Sequence, residues 1–212
     1  MPPLIVITII LVVLLLFYFI LFRPWQLRWG ATNDEIKRSM PGDDIVAEPS
    51  FNATRAVSIN APAETIYPWI VQMGVGRAGW YSYDLLDNLG RPSAEVILPA
   101  HQNRQIGDVV PMSPDGKQGM WVKDFSNNKW MLWWDKIGDS SWVWEIYAEE
   151  EAHSRLVTRV RVKYRWFSLT ILFNLLIEFC DIMMMRKCML GIKRRAETMA
   201  RLQVTVPFLV GF

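Results

Sequence analysis

The sequence is poor in residues with metal-binding or redox chemistry. Of its 212 residues, only two are cysteine and two are histidine. Cys180 and Cys188 lie in an expected helix, about 12 Å apart along its axis, which is too far for a disulfide. With His101 and His153 they give no recognisable zinc spacing. The sequence therefore predicts reduced thiols and no metal site.

An excess of charge of one sign is also lacking. The chain has 23 Lys and Arg against 21 Asp and Glu, a formal net charge of +2, so no global field favours nucleic acid. Basic residues cluster only in RKCMLGIKRRAETMAR near the C-terminus. The cluster is typical either of a solvated helix face or of a surface that contacts anionic lipid. Its candidate membrane-surface residues are Arg186, Lys187, Lys193, Arg194 and Arg195.

Charge is wholly absent from residues 4–22, LIVITIILVVLLLFYFILF. As a helix this run spans roughly the 30 Å of a bilayer's hydrocarbon core. A cleaved signal peptide would need a basic region before the run and a small-residue cleavage site after it, and neither is present. The run therefore predicts a retained transmembrane anchor.

The residues that flank the anchor predict its orientation. Arg23, Arg28, Lys37 and Arg38 follow the run, and no basic side chain precedes it. The positive-inside rule then places the rest of the chain in the cytoplasm. Trp25 fits an aromatic belt at the headgroups on that side. We expect a single-pass protein of the cell membrane with a cytoplasmic C-terminal domain.

The remaining sequence predicts one α+β domain after a short linker. Thr32 and Glu35 form a capping box that starts a short helix in the linker. A strand and a helix over PAETIYPWIVQMG follow, and from residue 105 alternating segments joined by tight turns predict an antiparallel meander. A long helix runs from about Ser168 to Gln203. The expected parts are the anchor (1–24), the linker (25–51), the domain (52–204) and a tail (205–212).

Three glycines match a nucleotide-binding pattern but lack its context. Gly74, Gly76 and Gly79 have the spacing G-x-G-x-x-G. A dinucleotide loop must follow a strand, open a helix and be followed by an acid at the end of the next strand. Here the preceding segment has helical period, and Glu95 precedes VIL instead of ending it. The glycines therefore predict a tight turn, and no dinucleotide or other cofactor is expected.

Several segments together resemble a known superfamily. A strand, then INAPAETIYPWIVQMGVGRAGWYSYDLLDNLG, IGDVVPMSPDG, a Trp-rich meander and MLGIKRRAE in a long helix are similar to the SRPBCC superfamily. This START-like, helix-grip group holds pollen-allergen proteins, lipid-transfer domains and polyketide cyclases, and the segments APAE…PWIVQMG and GRAGWYSYD resemble a membrane-anchored bacterial branch. The resemblance implies an antiparallel sheet wrapped around the long C-terminal helix, with an apolar cavity between them. It implies no reaction, because sites carry function and folds do not.

A helix-grip cavity would bind a hydrophobic small molecule or lipid. Such cavities have apolar and aromatic walls, and methionine adapts to varied shapes. The alternative is that the same side chains pack against each other as core. The expected lining residues are Trp80, Tyr81, Met120, Val122, Trp130, Leu132, Trp134, Trp142, Trp144, Thr158, Val160, Val162, Met184 and Met185.

Two other functions stay open. An enzyme of the polyketide-cyclase or aromatase type would need an acid–base group in the cavity. The candidates are Asp84, with Tyr83 beside it, and His101 on a loop. A protein-interaction domain that presents a Trp-rich surface to a partner is the third class. A cavity that holds Asp84 or His101 would favour the enzyme, and a closed core would favour the interaction domain.

Overall fold

The computed structural model describes residues 2–113, 115–150, 152–164 and 170–205. Within the described residues, the capping box of Thr32 and Glu35 is confirmed at the start of the third helix. The expected helix start at Ser168 and the tail from residue 206 lie outside these ranges. The helices are α1 (Pro3–Phe17), α2 (Arg23–Leu27), α3 (Asn33–Lys37), α4 (Ala63–Val71), α5 (Asp84–Asp87) and α6 (Thr170–Thr205).

The N-terminal helices form one continuous span. A wide π-helical turn, Tyr18–Phe22, joins α1 to α2. It precedes Pro24, whose missing N–H interrupts the regular ladder. In the part of the chain that the structure describes, Pro3–Leu27 is the one helix long and apolar enough to cross a membrane, and its apolar window is not buried by the protein. Length and composition therefore allow the anchor that the sequence predicts.

The six strands form one antiparallel sheet in the order β1-β6-β5-β4-β3-β2. Consecutive strands β2 to β6 pair as the predicted meander, and β1 lies beside β6. Leu156, Thr158, Val160 and Val162 share one face of β6, as their alternation predicts. The strands are β1 (Phe51–Ile59), β2 (Val109–Pro111), β3 (Gly119–Ser126), β4 (Trp130–Trp134), β5 (Ser140–Glu150) and β6 (His153–Val162).

The helices α4 and α6 cover one face of the sheet, which we call the inner face. Trp133 and Trp144 from the strands are buried there against Met189 and Ile192 of α6 and Trp69 of α4. The chain therefore has the α+β helix-grip arrangement, with a long C-terminal helix on an antiparallel sheet and an apolar helix before it.

The segment between anchor and β1 covers the opposite, outer face. Met40 is buried there with Leu132, Val143 and Val157. Arg159, only 3% exposed, donates to the carbonyls of residues 35, 36 and 38 and forms an ion pair with Asp43. The expected linker is thus a second layer on the sheet.

The anchor meets the domain at a buried carboxylate. Glu178 of α6 is 2% exposed. Arg23 Nε lies 2.6 Å from its Oε1, and the Tyr164 hydroxyl lies 2.9 Å from its Oε2. The Tyr18 hydroxyl and Gln26 Nε2 also donate to Oε1, at 3.1 and 3.3 Å. Burial and the nearby Glu178 charge raise the pKa of Tyr164, so its hydroxyl stays a donor. Four donors from two distant parts of the chain therefore converge on one charge.

We expect Arg23→Ala to lower the free energy of unfolding by about 3 kcal/mol, because it leaves a buried carboxylate without its cation. Adding Glu178→Gln should recover part of this loss. Chemical unfolding of the full chain in detergent micelles, followed by near-UV circular dichroism, measures both. The control is Lys117→Ala, which breaks an exposed contact of 4.0 Å with Asp115 and should cost under about 0.5 kcal/mol. If the two substitutions lower the free energy of unfolding additively, the ion pair between Arg23 and Glu178 does not contribute to stability.

Candidate functional site

A cavity of about 320 Å³ lies between α6, the segment around α5 and the inner face of the sheet. This volume is at the lower end of the range of small-molecule sites. Trp80 stacks on Trp142 in its wall, with ring centroids 5.7 Å apart and planes 6° apart. The lining residues are Trp80, Ser82, Leu86, Asp87, Met112, Trp142, Cys180, Asp181, Met184, Met185 and Cys188. The wall is therefore mainly aromatic, aliphatic and sulfur-containing, with two carboxyl groups.

A glycine turn positions the aromatic part of this wall. Gly74 and Gly79 exchange two backbone hydrogen bonds of 3.2 Å, so the G-x-G-x-x-G segment is the predicted tight turn. After it, the backbone N–H of Tyr81 donates to Ser93 Oγ, and the Tyr81 hydroxyl donates to the carbonyl of Trp69. These bonds fix the chain on both sides of Trp80.

Four of the expected lining residues do meet in the cavity: Trp80, Trp142, Met184 and Met185. Five others are buried in the core between sheet and helices instead: Tyr81, Met120, Val122, Trp144 and Thr158. Thr158 supports the wall indirectly, since its hydroxyl accepts a 2.8 Å hydrogen bond from Trp142 Nε1. Val160 and Val162 pack in a separate cluster with Leu27 of the anchor segment. These seven residues therefore pack against other side chains of the protein, which is the alternative to lining a cavity.

The expectation for Trp130, Leu132 and Trp134 is wrong. The register pairs Trp133 with Trp142 and Leu132 with Val143, so the three residues lie on the outer face. Leu132 packs with Met40 in the outer cluster. The strand reads WMLWW, in which odd and even positions are equally apolar. The sequence therefore cannot tell which side chains face the helices.

The three candidate acid–base residues do not line the cavity. Asp84 Oδ1 accepts a 2.5 Å hydrogen bond from Ser93. The Tyr83 ring lies under Lys187 Nζ, at 3.8 Å. His101 ends a 3₁₀ turn, Pro99–His101, away from the lining residues. The expectation that Asp84 or His101 would supply the acid–base group is therefore corrected.

Two other carboxyl groups, those of Asp87 and Asp181, line the cavity instead. Asp181 Oδ2 lies 2.5 Å from Nη1 of the buried Arg55. Burial raises the pKa of Asp181, and the charge of Arg55 opposes that rise. The spacing of Asp84 and Asp87 on one short helix is a sequence signal for this region, but it does not tell which of the two faces inward.

Asp87 is the carboxyl group of the cavity wall whose pKa is raised to a value near neutrality. Burial raises its pKa from 3.8 to about 6, and the neighbouring Ser82 opposes the rise. Ser82 Oγ nevertheless donates to the carbonyl of Met184. Both Asp87 oxygens are shielded from solvent and make no hydrogen bond of good geometry with the described residues, although Ser82 and the backbone N–H of Tyr83 are close enough to lower the pKa. A molecule in the cavity would therefore reach this carboxyl group only after the side chain rotates.

The thiols at the cavity differ in reactivity. Cys180 is exposed at its edge, while Cys188 is buried in its wall. Burial raises the pKa of Cys188, so its thiol stays neutral and is a poor nucleophile. The two cysteines are unpaired, as their spacing predicts.

The basic cluster of α6 makes contacts within the protein. Arg195 is 7% exposed, donates to the carbonyl of Ala94 and pairs with Glu95. Its assignment to a membrane surface is therefore wrong, because the side chain is buried. Arg194 also pairs with Glu95, and Lys193 donates to the carbonyl of Ser58. Arg186 and Lys187 lie over the rings of Trp29 and Tyr83. For these four residues the membrane contact stays a prediction.

Comparison with known proteins gives no family assignment. No family model and no curated protein matches the sequence. Similar solved structures include the Polyketide_cyc-like protein Cgl2372 from Corynebacterium glutamicum (13% identity, TM-score 0.44, covering 76% of this chain and 96% of that one). Another is CalC, a self-sacrificing resistance protein from Micromonospora echinospora (10%, 0.42, 72% and 95%). A third is EF2215, of unknown function, from Enterococcus faecalis (9%, 0.40, 77% and 94%). TM-scores below 0.5 assign neither family nor activity.

We expect Gly79→Ala to destabilise the domain more than Gly76→Ala. Both glycines have positive φ, +77° and +73°, which costs alanine about 1 kcal/mol. A Cβ at Gly79 would also lie 2.4 Å from Ser93 Oγ, while a Cβ at Gly76 meets nothing within 4 Å. The clash should add about 1–3 kcal/mol, measured by thermal unfolding. Saturable NADH or FAD binding by the intact chain would contradict the assignment of the glycines to a structural turn.

Asp87→Asn should stabilise the domain at pH 7 by roughly 1 kcal/mol, about one pKa unit of the shift, since Asp87 keeps some solvent contact. The raised pKa of Asp87 means that the folded state binds more protons than the unfolded state between about pH 4 and about pH 6. The contribution of Asp87 to stability should therefore fall as pH rises through this window, so that the slope of stability against pH should be more positive in the variant than in the wild type. The control, Asp84→Asn, weakens the bond to Ser93 and should lose about 1 kcal/mol. An unchanged pH slope in Asp87→Asn would contradict the assignment.

Proposed function

We propose that the chain is a membrane-anchored domain that binds a hydrophobic small molecule or lipid in the cavity beside α6. The observation that carries this proposal is the 320 Å³ cavity itself, with the stacked Trp80 and Trp142 in its wall. Flat indole faces and flexible thioethers suit a largely apolar molecule.

The position of the polar groups limits the kind of molecule. Asp87 and Asp181 are carboxyl groups at a wall that is otherwise mainly apolar. Asp181 is already paired with Arg55, and the oxygens of Asp87 are shielded from solvent. The proposed ligand is therefore a largely apolar molecule with at most a few polar groups.

An acid–base enzyme is the second candidate function, and Asp87 is the observation that favours it. A carboxyl group with a pKa near 6 in a cavity can hold or release a proton near neutral pH. The catalytic group of a cyclase-like reaction would then be Asp87. Retained binding together with lost turnover in Asp87→Asn would distinguish this enzyme from a binding module.

The proposed location is the cell membrane, with a single span and a cytoplasmic domain. The basic residues after the span support this orientation through the positive-inside rule. Because Arg23 is paired with Glu178, the excess of basic residues after the span depends mainly on Arg28, Lys37 and Arg38.

Native mass spectrometry of the full chain, gently extracted from membranes, tests the binding proposal. We expect the wild type to carry an apolar small molecule. Met184→Trp fills the cavity and should reduce occupancy about tenfold or more, a loss of roughly 1.4 kcal/mol. The matched control is Leu190→Trp on the same helix, because Leu190 is exposed and does not line the cavity. Equal occupancy in both variants would mean that the bound molecule sits elsewhere, and an empty wild type would contradict the proposal.

A further inference from the structure

Exposed apolar side chains surround the mouth of the cavity. Leu86 and Met112 line the cavity and are also exposed to solvent. Others lie on the same two elements that form the mouth, the α5 segment and α6. We define the apolar rim as Leu85, Leu86, Leu89, Met112, Phe179 and Met183, with exposures from 39% at Met112 to 79% at Leu85. Clustered exposed apolar side chains beside a cavity are typical of an interaction site.

A ring contact places the rim at a defined depth. Phe179 packs against Phe22 of the anchor, with ring centroids 5.3 Å apart. Phe22 is the last residue of the uncharged run. At about 1.5 Å per residue, that run matches the roughly 30 Å hydrocarbon core. Phe22 therefore lies at the boundary between hydrocarbon and headgroups, and Phe179 must lie at nearly the same depth.

Buried polar contacts between the domain and the anchor segment hold the domain close to this boundary. Glu178, next to Phe179, binds Arg23 and Gln26 of the anchor segment. Arg55 Nε of β1 donates to the carbonyl of Gln26 at 2.8 Å. Because these groups are buried, separating the domain from the anchor would leave charges without partners.

The register of the sheet places the rest of the rim at the same end. Leu27 of the anchor segment packs with Phe51 and Val162, where β1 begins and β6 ends. Pairing across the sheet aligns this end with the turn after β2 that contains Met112. The acidic residues Glu149 and Glu150 lie at the opposite end, in the last part of β5. Met112 therefore lies at the anchored end of the domain, together with the polar turns 115–118 and 135–139.

We propose that the apolar rim contacts the bilayer at the boundary between hydrocarbon and headgroups, so that the cavity opens onto the membrane. The inference rests on the proposed membrane anchor and adds a second contact with the same bilayer. Continuity with the anchor identifies the occupant as lipid, since Phe179 of the rim already touches the anchor where it leaves the hydrocarbon. An apolar ligand could then pass between bilayer and cavity without crossing water.

Site-specific fluorescence tests this contact in the full chain. In a Cys180→Ser background, which keeps only the buried Cys188, single cysteines are introduced by Leu86→Cys in the rim, Leu11→Cys in the anchor and Asn127→Cys in the turn between β3 and β4. Each position is exposed in the protein, so the variants should fold. A thiol-reactive nitrobenzoxadiazole label reports on its surroundings in phosphatidylcholine nanodiscs, with doxyl-labelled phosphatidylcholine as the quencher in lipid and iodide as the quencher in water.

We expect doxyl lipid to quench most of the emission at positions 11 and 86, and iodide to quench position 127. A label at Met183→Cys repeats the rim measurement on α6. If position 11 is quenched by lipid and position 86 by iodide, the rim lies in water and the inference fails while the anchor stands. If position 11 escapes lipid quenching, the anchor itself fails, and the rim contact fails with it. Protection of position 86 from both quenchers would identify a protein partner or a second copy and would also overturn the inference.

Discussion

The carboxylate of Glu178 is the constraint on which the arrangement of the whole chain depends. A buried charge costs several kcal/mol unless donors surround it. Here the donors come from the anchor segment, through Tyr18, Arg23 and Gln26, and from the end of the sheet, through Tyr164. No single element could satisfy the charge alone. Anchor, sheet and C-terminal helix are therefore fixed relative to each other by one residue.

The same polar contacts continue into the cavity wall. The carbonyl of Gln26 accepts a hydrogen bond from Arg55, and Arg55 pairs with Asp181, which lines the cavity. Asp181 lies less than one helical turn after Glu178 on α6. The charged part of the wall is thus held by residues that also hold the anchor.

The sequence predicts those features that depend on local pattern, and fails where tertiary contacts decide. The uncharged run, the Thr32 capping box and the alternation of β6 each follow from spacing alone. The faces of β4 do not, because WMLWW is apolar on both sides and only pairing with β5 orients it. The choice of Asp87 over Asp84 depends on a tertiary contact, because Ser93 holds Asp84 outside the cavity lining. Arg195 is buried only because Glu95, distant in sequence, lies beside it.

The arginines on the outer face of β6 hold another part of the chain. Arg155, Arg159 and Arg161 bind the segment that covers this face, through Glu35 and Asp43. Basic residues of α6 are likewise engaged within the protein. Positive charge in this domain therefore serves mainly to hold its own layers together. The proposed placement against a membrane would consequently depend on apolar surface and on the buried carboxylate at the junction, neither of which salt would screen strongly.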